Sequence, residues 1–279
     1  MHQGTLFAIT NQKGGVGKTT TAINLATALA ATKKNVLLID LDPQGNASTG
    51  LGIPPLKREF DTYRMLHDPE NSSKAVMTTD IPHLFIIPAS PDLAAAEVEL
   101  VNDQRRESRL KQALDPLKNA YDFMFIDCPP SLGLLTLNAL VAATKVLIPL
   151  QCEFYALEGL SHLLKNMRRI QKNMNPALDL QGIVLTMHQK RSVLNQQVAE
   201  EAHQHLGAKV YKTIIPRNVR MSEAPSHGKP ALVYDFHCPG SKAYIDLAKE
   251  FIEREAYDTA SQPALKAQSA PLASQELNA

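Results

Sequence analysis

The feature that most constrains this chain is the run Gln12-Lys13-Gly14-Gly15-Val16-Gly17-Lys18-Thr19, set between a short apolar β-type segment at 5–10 and a helical pattern at 17–31. Its glycines let the backbone turn back on itself and present successive N–H groups at a helix start, where the helix dipole adds positive potential. Lys18 then supplies a charge for β- and γ-phosphates, and Thr19 a hydroxyl for Mg2+. The strict phosphate-loop pattern has glycine where this chain has Gln12; the remainder is intact. A glycine-rich turn with no ligand is the plain alternative, and the strand before Gly17-Lys18-Thr19 and the helix after it weigh against that.

Further strand-like runs fall at 36–39, 84–87, 123–126, 146–150, 180–185 and 210–214. They alternate with helical patterns, the clearest at 97–117, 132–143, 156–174 and 241–255. Short strands apolar on both faces, separated by helices, are the signature of a parallel sheet covered on both sides. The expected fold is α/β: one P-loop NTPase domain over 1–255, with a mostly parallel, doubly wound sheet flanked by helices. The segment 256–279, rich in Ala, Ser, Gln and Pro without a sustained apolar period, is expected to be a disordered tail. The pattern at 156–174 has Leu160, Leu163, Leu164, Met167, Ile170 and Met174 on one stripe. Lys165, Arg168, Arg169 and Lys172 lie on the other side.

Two acidic motifs follow strands. Asp40 and Asp42 in Leu38-Ile39-Asp40-Leu41-Asp42 are two residues apart, a spacing that lets both carboxylates face one metal–phosphate site while Leu41 faces the core. Asp127 ends Phe123-Met124-Phe125-Ile126, as a Mg2+-supporting carboxylate does in such proteins; a turn or helix cap is the other reading. Lys13 is surplus to the charge that Lys18 already supplies. It either faces solvent or reaches the nucleotide of a second subunit, which the neighbouring glycines would allow to approach closely.

Composition removes several classes. The 279 residues are 44% hydrophobic and 20% charged, as in an ordinary globular protein. There is no basic leader before an apolar stretch and no run approaching the ~18 apolar residues of a membrane span, so a cytoplasmic location is expected. Cys128, Cys152 and Cys238 are widely spaced and suit reduced thiols better than disulfides or a metal site. A net charge of +1 means that any nucleic-acid binding has to rest on local basic surface.

With these motifs in view the chain resembles the ParA family of partitioning ATPases, of the deviant Walker A class, and most of all the short chromosomal Soj-type members. The resemblance covers about 5–255. It rests on Asn11 to Thr21, Asp40 to Ser48, Pro88-Ala89-Ser90, Asp127-Cys128-Pro129-Pro130-Ser131, Gln151-Cys152-Glu153 and Ile215-Pro216-Arg217-Asn218-Val219-Arg220. It implies ATP and Mg2+ as ligands, with Gly14, Gly15, Val16, Gly17, Lys18, Thr19 and Thr20 around the phosphates and Thr19 on the metal. Asp40 and Asp127 would act on the metal through water, and Asp42 on the hydrolytic water. Lys13 would be the signature lysine that reaches a partner's nucleotide in an ATP-bound homodimer. Pro216, Arg217 and Asn218 would close over the adenine, and Arg191 and Arg220 would contact non-specific double-stranded DNA. A ParB-like centromere-binding protein would release that DNA, giving a nucleoid-associated location.

Two relatives in function compete with this reading. A MinD-like membrane ATPase would end in a basic amphipathic helix, which Pro263 and the sparse charge around Lys266 disfavour, so no stable membrane anchor is expected. A ParA-like ATPase that positions a protein cargo would share nearly every motif named above.

Overall fold

The computed structural model describes residues 4–268. Its strands are β1 (Thr5–Ile9), β2 (Val36–Asp40), β3 (Met77–Thr78), β4 (Leu84–Ile87), β5 (Phe123–Asp127), β6 (Lys145–Gln151) and β7 (Asp179–Thr186). They form one seven-stranded sheet in the order β3-β4-β2-β5-β1-β6-β7. Every pairing is parallel except that of the short edge strand β3 with β4. Parallel strands are covered on both faces, and that explains why β2 is apolar at successive positions: Val36, Leu37, Leu38 and Ile39 are all fully buried.

The helices are α1 (Lys18–Ala30), α2 (Asn46–Gly50), α3 (Thr62–His67), α4 (Leu93–Glu99), α5 (Arg109–Leu114), α6 (Leu134–Ala142), α7 (Ala156–Asn173), α8 (Val193–Leu206), α9 (Val219–Glu223), α10 (Ala231–Tyr234) and α11 (Pro239–Gln268). Alternation along the strands sorts the core into two layers. Phe7, Ile9, Leu38 and Phe125 meet α1 and α11 through Leu25, Leu29 and Phe251. On the other face Leu6, Ala8, Leu37 and Ile126 meet α5 to α8 through Leu114, Ala139, Leu163 and Ala202. Phe251 packs its ring 5.0 Å from Phe7 and 5.7 Å from Phe125, fixing α11 against the sheet centre.

This topology decides where a ligand goes. The chain leaves β1 towards one side of the sheet and returns through β6 and β7 on the other, so a crevice opens beyond the C-terminal ends of β1, β2 and β5. The register places Asp127 beside both Ile9 and Asp40, so the phosphate loop and both acidic motifs share that end.

Three expectations are corrected. The run 210–214 is not a strand; only Val210 bridges β7 at Ile183, and the backbone N–H groups of Tyr211 and Ile215 donate to Ile183 and Leu185. The helical pattern at 97–117 is broken into α4, short 3-10 turns and α5. Asp103 accepts a hydrogen bond from the backbone N–H of Arg105 and pairs with Arg109, a local alternative to helix, and Pro116 lacks the N–H a continuing helix needs. Finally, α11 runs past the expected boundary at 255 to Gln268; the rest of the expected tail, 269–279, lies outside the described residues.

Candidate nucleotide site

The phosphate loop is shaped by left-handed backbone. Gly15 has φ 75° and Gly17 φ 90°, values that a side chain disfavours. Gly17 is the N-cap of α1 and brings no side chain of its own to the helix's first N–H groups. Neighbours hold the loop in place. The Thr186 hydroxyl donates to the Val16 carbonyl at 2.8 Å, Asn11 donates to the Pro149 carbonyl at 2.8 Å, and the Asn11 side-chain oxygen accepts from the Lys13 N–H at 3.1 Å. The Lys18 ammonium folds back to donate to the Lys13 carbonyl at 3.1 Å. Burial lowers the Lys18 pKa, opposed mainly by the nearby Asp127 carboxylate.

In front of the loop lies a cleft of about 490 Å3, lined among others by Gly14, Gly15, Gly17, Lys18, Thr19, Thr20, Asp42, Pro130, Met187 and Lys229. A second hollow of about 240 Å3 shares Gly17, Thr20 and Met187 with it and is bounded by Pro216, Arg217 and Asn218. One end is therefore ringed by backbone N–H groups and a lysine. The other has a proline and a Met221 surface suited to a flat apolar ring. Most of the residues expected around phosphate and base line these two adjoining hollows; Val16 is buried and lines neither.

The three carboxylates are not equivalent. Asp42 lines the cleft, its carboxylate steadied by the Gln44 N–H at 3.0 Å. Asp40, expected to face the site beside Asp42, is turned into the protein instead. It is fully buried and accepts from the Ser48 N–H at 2.8 Å and the Ser48 hydroxyl at 2.6 Å. Burial raises its pKa to about 6 against those hydrogen bonds. Asp40 thus anchors the turn that carries Asp42. Asp127 is fully buried with no hydrogen bond of acceptable geometry on either oxygen, although Thr19 lies close enough to favour its charged form. Burial first, and then Asp40, push its pKa well up.

An orphaned buried carboxylate beside a threonine hydroxyl at a phosphate loop fits Mg2+. That ion keeps several waters and takes one or two protein groups plus phosphate oxygens. Among the described residues no set of three or more His, Cys, Asp or Glu could hold a metal ion by itself. The three cysteines are free and buried; burial raises the Cys152 pKa to about 11, which suits inert thiols.

Lys13 and the arginines are placed differently from the loop core. Lys13 points away from its own cleft, half exposed, and forms an ion pair with Glu153 at the end of β6. Arg191 is exposed in the turn before α8. Arg220, on α9, is held by Glu223 at 2.9 Å and Asp235 at 3.5 Å.

Several contributors escaped the sequence. Met187 has φ 51°, a strained value for a non-glycine residue, and lies against Gly17. Lys229 lines the cleft, and two residues further on the Asn24 side chain accepts from the Ala231 N–H at 2.9 Å. Arg58, buried, donates to the carbonyls of Ile53 and Ala89 and to the Thr49 hydroxyl, bracing α2 behind the site. The only sequence signal for Met187 was its position just after a strand.

A family model described as an AAA domain matches residues 4–180. The chain is 53% identical over 252 residues to the chromosome partitioning protein ParA of Caulobacter vibrioides (strain NA1000 / CB15N), covering 90% of this chain and 94% of that protein. It is 54% identical over 247 residues to the sporulation initiation inhibitor protein Soj of Bacillus subtilis (strain 168), covering 88% and 98%. Among solved structures it is similar to cobyrinic acid a,c-diamide synthase from Mycobacterium smegmatis with bound ADP and magnesium, with a TM-score of 0.77 and 36% identity over 88% of this chain and 93% of that one. A phosphate loop, an adjoining base-sized hollow and an unsatisfied aspartate, in a chain this similar to those relatives along nearly its whole length, leave one assignment: it belongs to the ParA/Soj family of chromosome-partitioning P-loop ATPases.

Proposed function

We propose that this ATPase partitions DNA by cycling between a free form and an ATP-bound homodimer that holds double-stranded DNA without sequence preference and is released by a ParB-like partner. The observation that supports the nucleotide chemistry most is the buried, unsatisfied Asp127 beside Thr19 at the mouth of the phosphate loop. Gly14, Gly15, Val16 and Gly17 offer backbone N–H groups to the phosphates, and Lys18 gives up its bond to the Lys13 carbonyl to meet them. Thr19, with Asp127 acting through water, would hold Mg2+, which when bound neutralises phosphate charge, while Asp40 stays on Ser48 and fixes the turn that carries Asp42. Thr20 adds a phosphate contact, and Pro216, Arg217 and Asn218 enclose the base.

Asp42 is the carboxylate that faces the cleft, and it orients the water for in-line attack on the γ-phosphorus. Lys13 leaves Glu153 to stabilise the charge building on the γ-phosphate of the second copy, as an arginine finger does. Arg191 and Arg220 contact DNA phosphates, Arg220 after release from its two carboxylates. Among the described residues no helix is long and apolar enough to cross a membrane.

Phosphate release and nucleotide binding, measured with DNA present, test these roles. Lys18→Ala should lose productive ATP binding. Asp42→Ala should keep ATP binding and lose hydrolysis by about 100-fold or more. Hydrolysis by Asp42→Ala at the rate of the unaltered protein would remove the assigned role of Asp42.

A further inference from the structure

Helix α7 carries a charge pattern that the nucleotide site does not use. Lys165, Arg168, Arg169 and Lys172 are all exposed and follow at three- and four-residue steps, which places them on one side of the helix. Among the described residues none has a carboxylate within ion-pair distance, the exposed Glu200 and Glu201 of neighbouring α8 included. The one acidic residue of α7, Glu158, sits in its first turn. Arg220, by contrast, is already held by two carboxylates. Among the described residues the densest unpaired positive charge on a single element therefore lies on α7.

We infer that this face of α7 is a docking track for the phosphate backbone of duplex DNA. Lys165 to Lys172 spans about 10 Å at the 1.5 Å rise of a helix. Duplex DNA presents a negative charge about every 1.7 Å along its axis, so several phosphates face such a stripe at once. Helix geometry argues against a bilayer. The apolar side of α7, with Leu160, Leu163, Met167 and Ile170, is buried on the sheet and has nothing left to insert. The rest of the stripe, Ser161, His162 and Asn173, is polar and exposed, offering no seat for the apolar anchors of an acidic peptide. The inference rests on the DNA-binding reading above and adds a surface to it, distinct from Arg191 and Arg220.

The test uses the full chain with Mg-ATP and two labelled duplexes of unrelated sequence, with binding followed by anisotropy between about 50 and 200 mM salt. The variant is K165Q/R168Q/R169Q/K172Q. A charge-matched control, K57Q/K74Q/K111Q/K242Q, removes exposed, unpaired lysines elsewhere. Basal phosphate release should be the same in all three proteins. The α7 variant should lose affinity for both duplexes by about tenfold or more and flatten the salt slope by about 2 or more, since each lost phosphate contact removes about 0.9. The control should change neither by a comparable amount.

Equal losses in variant and control would reduce the effect to net charge and overturn the inference. An unchanged slope in a variant that still binds DNA would overturn it while leaving the DNA-binding reading intact. Failure of the unaltered protein to bind DNA would overturn both. Loss of binding to anionic phospholipid vesicles without loss of DNA binding would give the stripe to a membrane instead.

Discussion

Replacing Arg58 by methionine tests how the site is braced from behind. Arg58 is only 8% exposed. It donates from Nε at 3.1 Å to the Ile53 carbonyl, from one terminal nitrogen to the same carbonyl at 2.7 Å and to the Thr49 hydroxyl at 2.9 Å, and from the other to the Ala89 carbonyl at 2.9 Å. Methionine keeps much of the length and volume and removes every donor. The Thr49 hydroxyl can rotate to another partner, but the two carbonyls cannot. A buried acceptor left without a donor costs about 1–3 kcal/mol, so the pair costs about 2–6 kcal/mol. Relief of the desolvation that lowers the Arg58 pKa returns part of this. The net expectation is a loss of about 2–4 kcal/mol in urea unfolding, with the slope unchanged. Lysine, which can serve one carbonyl but not two in a fixed fork, should fall between arginine and methionine. Because α2 carries Asn46 and Thr49 to the cleft wall, the KM for ATP should rise in the same order. A methionine variant within about 0.5 kcal/mol of the unaltered protein, the ordinary scatter of surface substitutions, would refute the bracing argument.

Two further outcomes follow from individual contacts. Because the Asp40 pKa is raised from 3.8 to about 6, the stability linked to it is fully present below 3.8 and is lost as pH rises through about 6. The difference in unfolding free energy between Asp40→Asn and the nucleotide-free unaltered protein should therefore shift in favour of asparagine from pH 4 to pH 7, and a difference independent of pH would contradict the burial argument. Glu153→Gln removes the ion-pair partner of Lys13; an exposed pair contributes about 0–1 kcal/mol and a dimer releases one from each copy, so ATP-dependent association should strengthen by no more than about 30-fold in sedimentation velocity, and weaker association would mean that Glu153 helps the dimer form.

How much of this was legible in the sequence depended on the range of the interaction. The phosphate loop and its flanking strand and helix are local, and Gly15 and Gly17 carry the positive φ values that their identity foretold. The strands of the parallel sheet were readable because both-face burial writes apolar runs such as Val36 to Ile39 directly into the chain. Asp103 and Pro116 defeated the helix reading at 97–117 by offering local alternatives that an apolar period does not register. The run at 210–214 has β-type residues yet is tied to β7 by scattered bonds, since pairing depends on its neighbour and not on its composition. Contacts across the chain were hidden altogether: Thr186 on Val16, Arg58 on Ala89, Lys13 on Glu153. Asp40 and Asp42 looked alike at a two-residue spacing, and only Ser48 reveals that one anchors while the other faces the cleft.

In the proposed cycle ATP joins two copies through Lys13. Light scattering of Asp42→Ala with Mg-ATP measures this most directly, because blocked hydrolysis holds the assembly in one state. The expected mass is twice the 30.6 kDa of one chain, returning to 30.6 kDa with ADP or when Lys13→Ala is added. A mass that stays at 30.6 kDa with ATP, or a dimer indifferent to Lys13, would contradict it.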